Sequence, residues 1–432
     1  MIIQLLFVLA CIIVGARLGG IGLGVMGGVG MAILVFCFGL EPTSPPIDVM
    51  LMIAAVISAA AALQAAGGLD YLVMLAAKLL RKNPSQITLL SPLVTYLFTF
   101  VAGTGHVAYS VLPVIAEVAR ETKIRPERPL GIAVIASQQA ITASPISAAT
   151  VALLALLTGF NITLFDILKV TIPATLLGVL IGALLSKRVG KELLDDPEYQ
   201  KRVKEGMIKE NKLEFNQIKK PWAAKLSVVL FLVSTVLIVL FGSIPSWRPT
   251  FNGTSMDMPA IIEILMLSTC AIILLMSRTN GIAPTQGSVF IAGMQAVIAI
   301  FGIAWMGDTF INGNISVITD GIKGIVTQWP WLFAIALFIM SILLYSQAAT
   351  VRAIMPLGIA LGMSPWMLIA LFPAVNGYFF IPNYPTIVAA INFDRTGTTH
   401  IGKFVLNHSF MMPGMVATIV AVGAGLLLIQ LY

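Results

Sequence analysis

The sequence predicts an all-α polytopic membrane protein built from two inverted repeats, each with a re-entrant hairpin and a broken transmembrane helix. Three observations predict it: an apolar composition, long apolar stretches interrupted at matching places, and basic residues that gather on one side. The chain has 432 residues, 58% hydrophobic and 10% charged, with a mean hydropathy of +0.96. A soluble domain carries about 25% charged residues, so most of the outward surface here must meet lipid. That excludes a soluble enzyme. The net charge of +7 does not point to nucleic acid, because the bases lie in short loops between apolar runs, where they set topology. Cys11, Cys37 and Cys270 stand singly in apolar runs and read as small core residues. The first apolar run lacks a basic leader and a small-residue cleavage site, so it reads as a membrane segment.

The first repeat covers residues 1–186. Its scaffold spans lie at about 3–16, 20–39 and 47–66, where apolar runs are long enough for helices in lipid. Segment 69–83 is too short and mixed to span, places apolar residues at helical spacing, and ends in Lys78, Arg81 and Lys82, which suits an interfacial helix. Then come 87–119 and 129–159, largely apolar yet broken by Gly, Ser, Thr or Pro, which predict a hairpin and a broken span, and a closing span at 163–186. Residues 187–222 form a charged loop on the inner side. The second repeat, 223–432, follows the same order: scaffold spans within 223–306, an interfacial segment 312–328, a hairpin 330–361, a broken span 366–392 and a closing span 402–431.

Prolines give the register of the repeat. Pro84, Pro113, Pro129, Pro145 and Pro173 pair in order with Pro330, Pro356, Pro365, Pro382 and Pro413, at separations of 236 to 246 residues. If each hairpin returns to its own side, each half crosses five times, and an odd number inverts the second half. With both termini outside, this topology puts 22 of the 26 Lys and Arg on the inner side.

Irregular backbone at membrane depth is tolerated only where protein or a wet cavity satisfies it, so the four interruptions are the candidate site. In Thr142-Ala143-Ser144-Pro145-Ile146-Ser147, Ser144 reads as a helix cap with Pro145 at the first helical position. Its partner is Ile381-Pro382-Asn383-Tyr384-Pro385-Thr386, with Asn383 as the cap. The hairpin tips are Gly103-Thr104-Gly105-His106 and Ser346-Gln347-Ala348-Ala349-Thr350. A helix N-terminus carries about half a positive charge, so four converging ends would present roughly +2 without any Lys or Arg, which suits a small dianion. Thr104, Gly105, Thr142, Ser144, Ser147, Ser346, Gln347, Asn383, Tyr384 and Thr386 are the substrate-binding candidates, supplying neutral donors. His106, Arg352 and His408 are secondary candidates. Glu117 is expected to pair with Arg120, and Asp166 with Lys169. No carboxylate lies in either tip or break, which favours exchange of like-charged anions over obligatory proton coupling and leaves sodium open. No cofactor and no metal site is expected.

Further phrases carry a resemblance: Gly15-Ala16-Arg17-Leu18-Gly19-Gly20-Ile21-Gly22, Ala66-Gly67-Gly68-Leu69-Asp70-Tyr71-Leu72, Tyr345-Ser346-Gln347-Ala348-Ala349, Phe393-Asp394-Arg395-Thr396-Gly397-Thr398-Thr399-His400-Ile401-Gly402, and Asn407-His408-Ser409-Phe410. With the tip and break motifs, these resemble the anaerobic C4-dicarboxylate transporters (the Dcu antiporter family) from Gly15 to Phe410. The resemblance implies exchange of fumarate, malate or aspartate for succinate across the bacterial inner membrane by an elevator. Hairpins, broken spans and closing spans would then move against the scaffold, with small dicarboxylates and lipid as partners and a homodimer left open. A sodium-coupled symporter of the same architecture is the alternative. A membrane hydrolase using Ser144 or Ser147 with His106 lacks any supporting motif, and the 187–220 loop is too short and polar for a sensor domain.

Overall fold

Runs of Leu, Ile, Val and Ala in lipid must close their own backbone hydrogen bonds, and the α-helix does so within one segment. The computed structural model describes residues 1–18, 20–45, 47–208, 220–314, 317, 328–344, 346–382, 384–402 and 406–432. The first half comprises α1 (Ile2–Leu18), α2 (Gly22–Ala32), α3 (Ile47–Ala65), α4 (Gly68–Lys82), α5 (Ile87–Ala102), α6 (Ala108–Glu121), α7 (Glu127–Gln139), α8 (Ala148–Leu157) and α9 (Leu164–Ser186). The charged loop holds α10 (Pro197–Lys204). In the second half are α11 (Pro221–Ser243), α12 (Met258–Ser277), α13 (Ile282–Thr285), α14 (Ser288–Ala299), α15 (Trp305–Gly313), α16 (Leu332–Leu344), α17 (Gln347–Ala360), α18 (Pro365–Leu371), α19 (Pro385–Phe393) and α20 (Met411–Leu428). Strands β1 (Thr250–Phe251) and β2 (Thr254–Ser255) make a small antiparallel hairpin. Its turn uses Asn252 and Gly253, both at positive φ, as a two-residue hairpin loop requires.

Among the described residues, six helices are long and apolar enough to cross a membrane: Pro84–Ala102, Leu164–Ser186, Pro221–Gly242, Met258–Ser277, Ser288–Gly313 and Met411–Leu431. A seventh arises if Met50–Ala65 and Gly68–Lys82, which meet at a 68° bend, form one span. The α4 helix buries Leu69, Val73, Ala76, Ala77 and Leu80 on one face. Of the segment 312–328, residues 315–316 and 318–327 lie outside the described residues.

Small residues set the closest approaches, as expected for helices that cannot use water exclusion to associate. A Cβ at Gly302, in the π turn Ile300–Ala304 that links α14 to α15, would lie 1.8 Å from the Gly24 carbonyl oxygen of α2. At Gly178 of α9 a Cβ would lie 2.3 Å from the Ala417 carbonyl of α20. Among the described residues these two helices make the most extensive pairing, and one comes from each half.

Both halves contain, in the same order, a helix pair, an interrupted helix and a closing helix. The first pair turns at Gly103, whose φ of 69° ends α5, and through a 3-10 turn at Gly105–Val107. The α7 helix tightens into a 3-10 turn, Ala140–Thr142, before α8 starts at Ala148. In the second half α16 and α17 meet beside Ser346, and α18 passes into the 3-10 turns Phe372–Val375 and Gly377–Phe379 before α19.

Two sequence expectations are corrected here. Ser144 does not cap α8: its hydroxyl donates to the Phe100 carbonyl (2.7 Å), one of the acceptors left open at the end of α5. The cap is Ser147, extended at φ −72° and ψ 147°, whose Oγ accepts from the Thr150 amide at 3.1 Å. The second interruption also begins earlier than the Ile381 expected, because Pro373 removes an amide donor and the chain is already 3-10 from Phe372.

The charged loop folds back onto the interrupted helices. Arg125, just before α7, donates to Glu127 (2.5 Å) and to Asp196 (2.5 Å), and all three are buried. Burial pushes the Asp196 carboxyl up, but the Tyr199 amide, Arg125 and the Glu198 amide outweigh it and hold the group below the usual carboxylate range. Arg128 binds the carbonyls of Val189 (2.8 Å) and Gly190 (3.2 Å). From the other half, Ser409 donates to Glu127 at 2.7 Å, and Thr398 accepts from the Glu127 amide at 3.3 Å. Asp394 shapes that second segment by accepting from the Thr396 and Thr399 amides and the Thr396 and Thr398 hydroxyls. The expected Glu117–Arg120 and Asp166–Lys169 pairs are both present.

Candidate functional site

The C-terminal end of α7 presents two consecutive amide side chains, Gln138 and Gln139, where the helix tightens. Successive helical residues point about 100° apart, so the two glutamines reach different partners. Gln138 accepts from Gln347 Nε2 (3.1 Å) and donates to Thr386 Oγ1 (3.3 Å). Gln139 donates to Thr418 of α20 (3.0 Å) and accepts from Asn376 Nδ2 (3.2 Å). Asn376, between the 3-10 turns, also accepts from Gln347 (3.3 Å) and donates toward Thr142 (3.4 Å) and the Pro373 carbonyl (3.1 Å). Gln138, Gln139, Thr142, Gln347, Asn376 and Thr386 are all buried. The result is a closed circuit of amides and hydroxyls joining both interrupted helices to the start of α17.

Two of these residues stand at helix starts. Gln347 is the first residue of α17 and Thr386 the second of α19, so the positive ends of two helices open at the circuit. The tip of the first hairpin touches it as well, since a Cβ at Gly105 would lie 2.8 Å from Gln138 Nε2. None of the circuit side chains is ionised, so its chemistry is neutral hydrogen bonding plus fixed backbone dipoles. Among the described residues no group of three His, Cys, Asp or Glu side chains has the arrangement of a metal site.

The structure brings together Gly105, Thr142, Gln347 and Thr386 from the predicted set. Ser144, Ser147 and Ser346 serve the backbone instead, Ser346 by capping α17 through the Ala349 amide at 3.2 Å. Tyr384 packs on Tyr378, with ring centroids 4.4 Å apart. Thr104 borders an apolar cleft between the first tip and the scaffold, lined by Ile53, Ile57, Ile146 and Gly293. Arg352 lies about 140° around α17 from Gln347 and interacts electrostatically with Asp308 of α15. His408 accepts from the Phe410 amide at Nδ1 (3.2 Å), so its Nε2 carries the proton toward the Phe380 carbonyl (3.4 Å). Asn383 and the side chain of His106 lie outside the described part. Gln138, Gln139, Asn376 and Tyr378 were not singled out by sequence. The signal available for the first two was a pair of adjacent amides in the otherwise apolar segment 129–159.

The whole chain, residues 1–432, matches the family described as "Anaerobic c4-dicarboxylate membrane transporter". It is 46% identical over 426 residues to the C4-dicarboxylate transporter DcuA of Wolinella succinogenes, covering 98% of each chain. It is 45% identical over 435 residues to DcuA of Escherichia coli, covering 99% of each. The anaerobic C4-dicarboxylate transporter DcuB of Shigella flexneri is 41% identical over 445 residues, which is 100% of this chain and 98% of the relative. Among solved structures, the Alcanivorax borkumensis YdaH transporter superposes with a TM-score of 0.57 at 13% identity, covering 99% of this chain and 96% of that one. Neisseria gonorrhoeae MtrF superposes at 0.51 and 11% identity, covering 92% and 84%. At such identities the likeness is one of fold alone, and it is a likeness to polytopic transporters.

Proposed function

Because the chain belongs to the family of anaerobic C4-dicarboxylate membrane transporters, and is therefore a transporter and not an enzyme, we propose that it exchanges fumarate, malate or aspartate for succinate across the bacterial inner membrane. The observation that carries this reading is the buried circuit of Gln138, Gln139, Gln347, Asn376 and Thr386 at the starts of α17 and α19. A dianion there meets amide and hydroxyl donors and two positive helix ends, with no carboxylate in the circuit to repel it. Hairpins, interrupted helices and closing helices form the moving unit of an elevator on this reading, and α1–α3 with α11, α12, α14 and α15 form the scaffold. The repeats are inverted and both termini are periplasmic. The apolar cleft between Gly103, Thr104 and the scaffold residues Ile53, Ile57 and Gly293 supports a boundary that can slide.

An unloaded site with two uncompensated helix ends carries excess positive potential through a low-dielectric barrier, whereas a loaded site is compensated. Exchange is then obligatory, and a dianion-for-dianion cycle is electrically silent. In liposomes holding the purified protein, uptake of labelled fumarate should need internal succinate and ignore imposed potential, sodium and pH gradients. Strong potential-driven or sodium-driven uptake into liposomes free of dicarboxylate would refute exchange.

A further inference from the structure

We propose that Tyr378 forms a second subsite for the substrate, its phenol hydroxyl donating a hydrogen bond to one carboxylate of the dianion while the amide circuit holds the other. The inference rests on reading the circuit as the dicarboxylate site. Tyr378 lies in the 3-10 turn Gly377–Phe379, two residues beyond Asn376. The turn is fixed by its neighbours: the Gly377 amide donates to Ser341 Oγ at 2.8 Å, and Phe379 packs edge-on against Phe338 with centroids 5.9 Å apart. Tyr378 is 1% exposed, yet its hydroxyl has no hydrogen-bond partner among the described residues. Buried hydroxyls are almost always paired, and an orphan on a turn two residues from Asn376 of the circuit calls for a partner that is not part of the fold.

The surroundings say which chemistry suits it. The ring lies 4.4 Å from that of Tyr384, which stands at the start of α19 two residues before Thr386 of the circuit. Tyr109 of α6 lies close to Tyr384, so phenols from the first hairpin and the second interruption gather here. A phenol is neutral near pH 7 and has a proton to give, and a carboxylate has lone pairs to accept it. Such a bond to a charged acceptor is stronger than one between neutral groups.

Tyr378→Phe tests this, because it deletes one oxygen and keeps the ring on Tyr384. In liposome exchange the KM for fumarate should rise about tenfold or more, the loss of a bond to a charged group. The thermal midpoint of the ligand-free variant in detergent should equal or exceed the parent's, since an unpaired buried hydroxyl is removed, while the added stabilisation by saturating fumarate should shrink. A KM within twofold of the parent's overturns the inference, and so does a lowered ligand-free midpoint or poor production, because either shows the hydroxyl serving the fold. Gln138→Ala in the same assay separates the two ideas. If it raises KM and Tyr378→Phe does not, the phenol subsite falls and the circuit stands; if neither does, the circuit reading falls as well.

Discussion

Adding one methyl group at the first hairpin tip probes the circuit without removing any of its polar atoms. At Gly105 a Cβ would lie 2.8 Å from Gln138 Nε2 and 3.0 Å from its Cδ and Oε1, inside van der Waals contact. The backbone at Gly105 is not left-handed, so alanine is not strained there and the contact alone acts. Gln138 gives way because its amide is the far end of a flexible side chain. In swinging aside it gives up its bonds to Gln347 (3.1 Å) and Thr386 (3.3 Å). On the proposed reading the displaced amide also no longer reaches the bound dianion, and a lost hydrogen bond to a charged group costs about 1.5–3 kcal/mol, a factor of roughly 10 to 150 in affinity. Gly105→Ala should therefore raise the KM for labelled fumarate in succinate-loaded liposomes by about tenfold with normal protein yield. Gly28→Ala serves as the control, since its Cβ would have no neighbour within 4 Å. A Gly105→Ala KM within twofold of the parent's would refute the claim that the tip and Gln138 act as one unit in binding.

Other consequences concern the charged loop and the topology. Arg125→Ala leaves Glu127 and Asp196 buried without their cation, which costs about 3–5 kcal/mol for a broken buried pair. A lower thermal midpoint and faster proteolysis of the loop should follow, and unchanged values would show that the cluster does not hold it. The Asp196 carboxyl is held low in the folded state, so its stabilisation is complete above the unfolded carboxylate value of about 3.9 and fades as pH falls through the folded one. Loop proteolysis should be flat from about pH 5 to 8 and rise below about pH 4, and Asp196→Asn should be loosened at every pH. Single cysteines in the 187–208 segment should react with impermeant thiol reagents only from the cytoplasm, and those at both termini only from the periplasm; termini labelled on opposite sides would rule out five crossings per half.

The membrane class, the run of helices and the existence of interruptions near residues 103, 144 and 382 were legible because lipid imposes them locally. A segment without water must be apolar and helical, and each Pro, Gly or Ser that departs from that pattern is visible in one line of text. Family membership was legible for a related reason, since the phrases around Thr104, Ser144, Gln347 and Asp394 are contiguous in the chain. The cap on α8 was misplaced by three residues because Ser144 and Ser147 present the same local signal, and only the Phe100 carbonyl, 44 residues away, decides between them.

Tertiary structure alone decided which polar groups meet. Gln347 finds Gln138 across 209 residues, Asn376 finds Gln139 across 237, and Gln138 finds Thr386 across 248. Gln138 and Gln139 close a helix with no proline or glycine beside them, and the glycine beside Tyr378 marks a turn without showing what the phenol meets. A buried amide is fixed by partners that only the packing of two distant halves supplies, and an orphaned hydroxyl such as that of Tyr378 can be recognised only once every neighbour is in place.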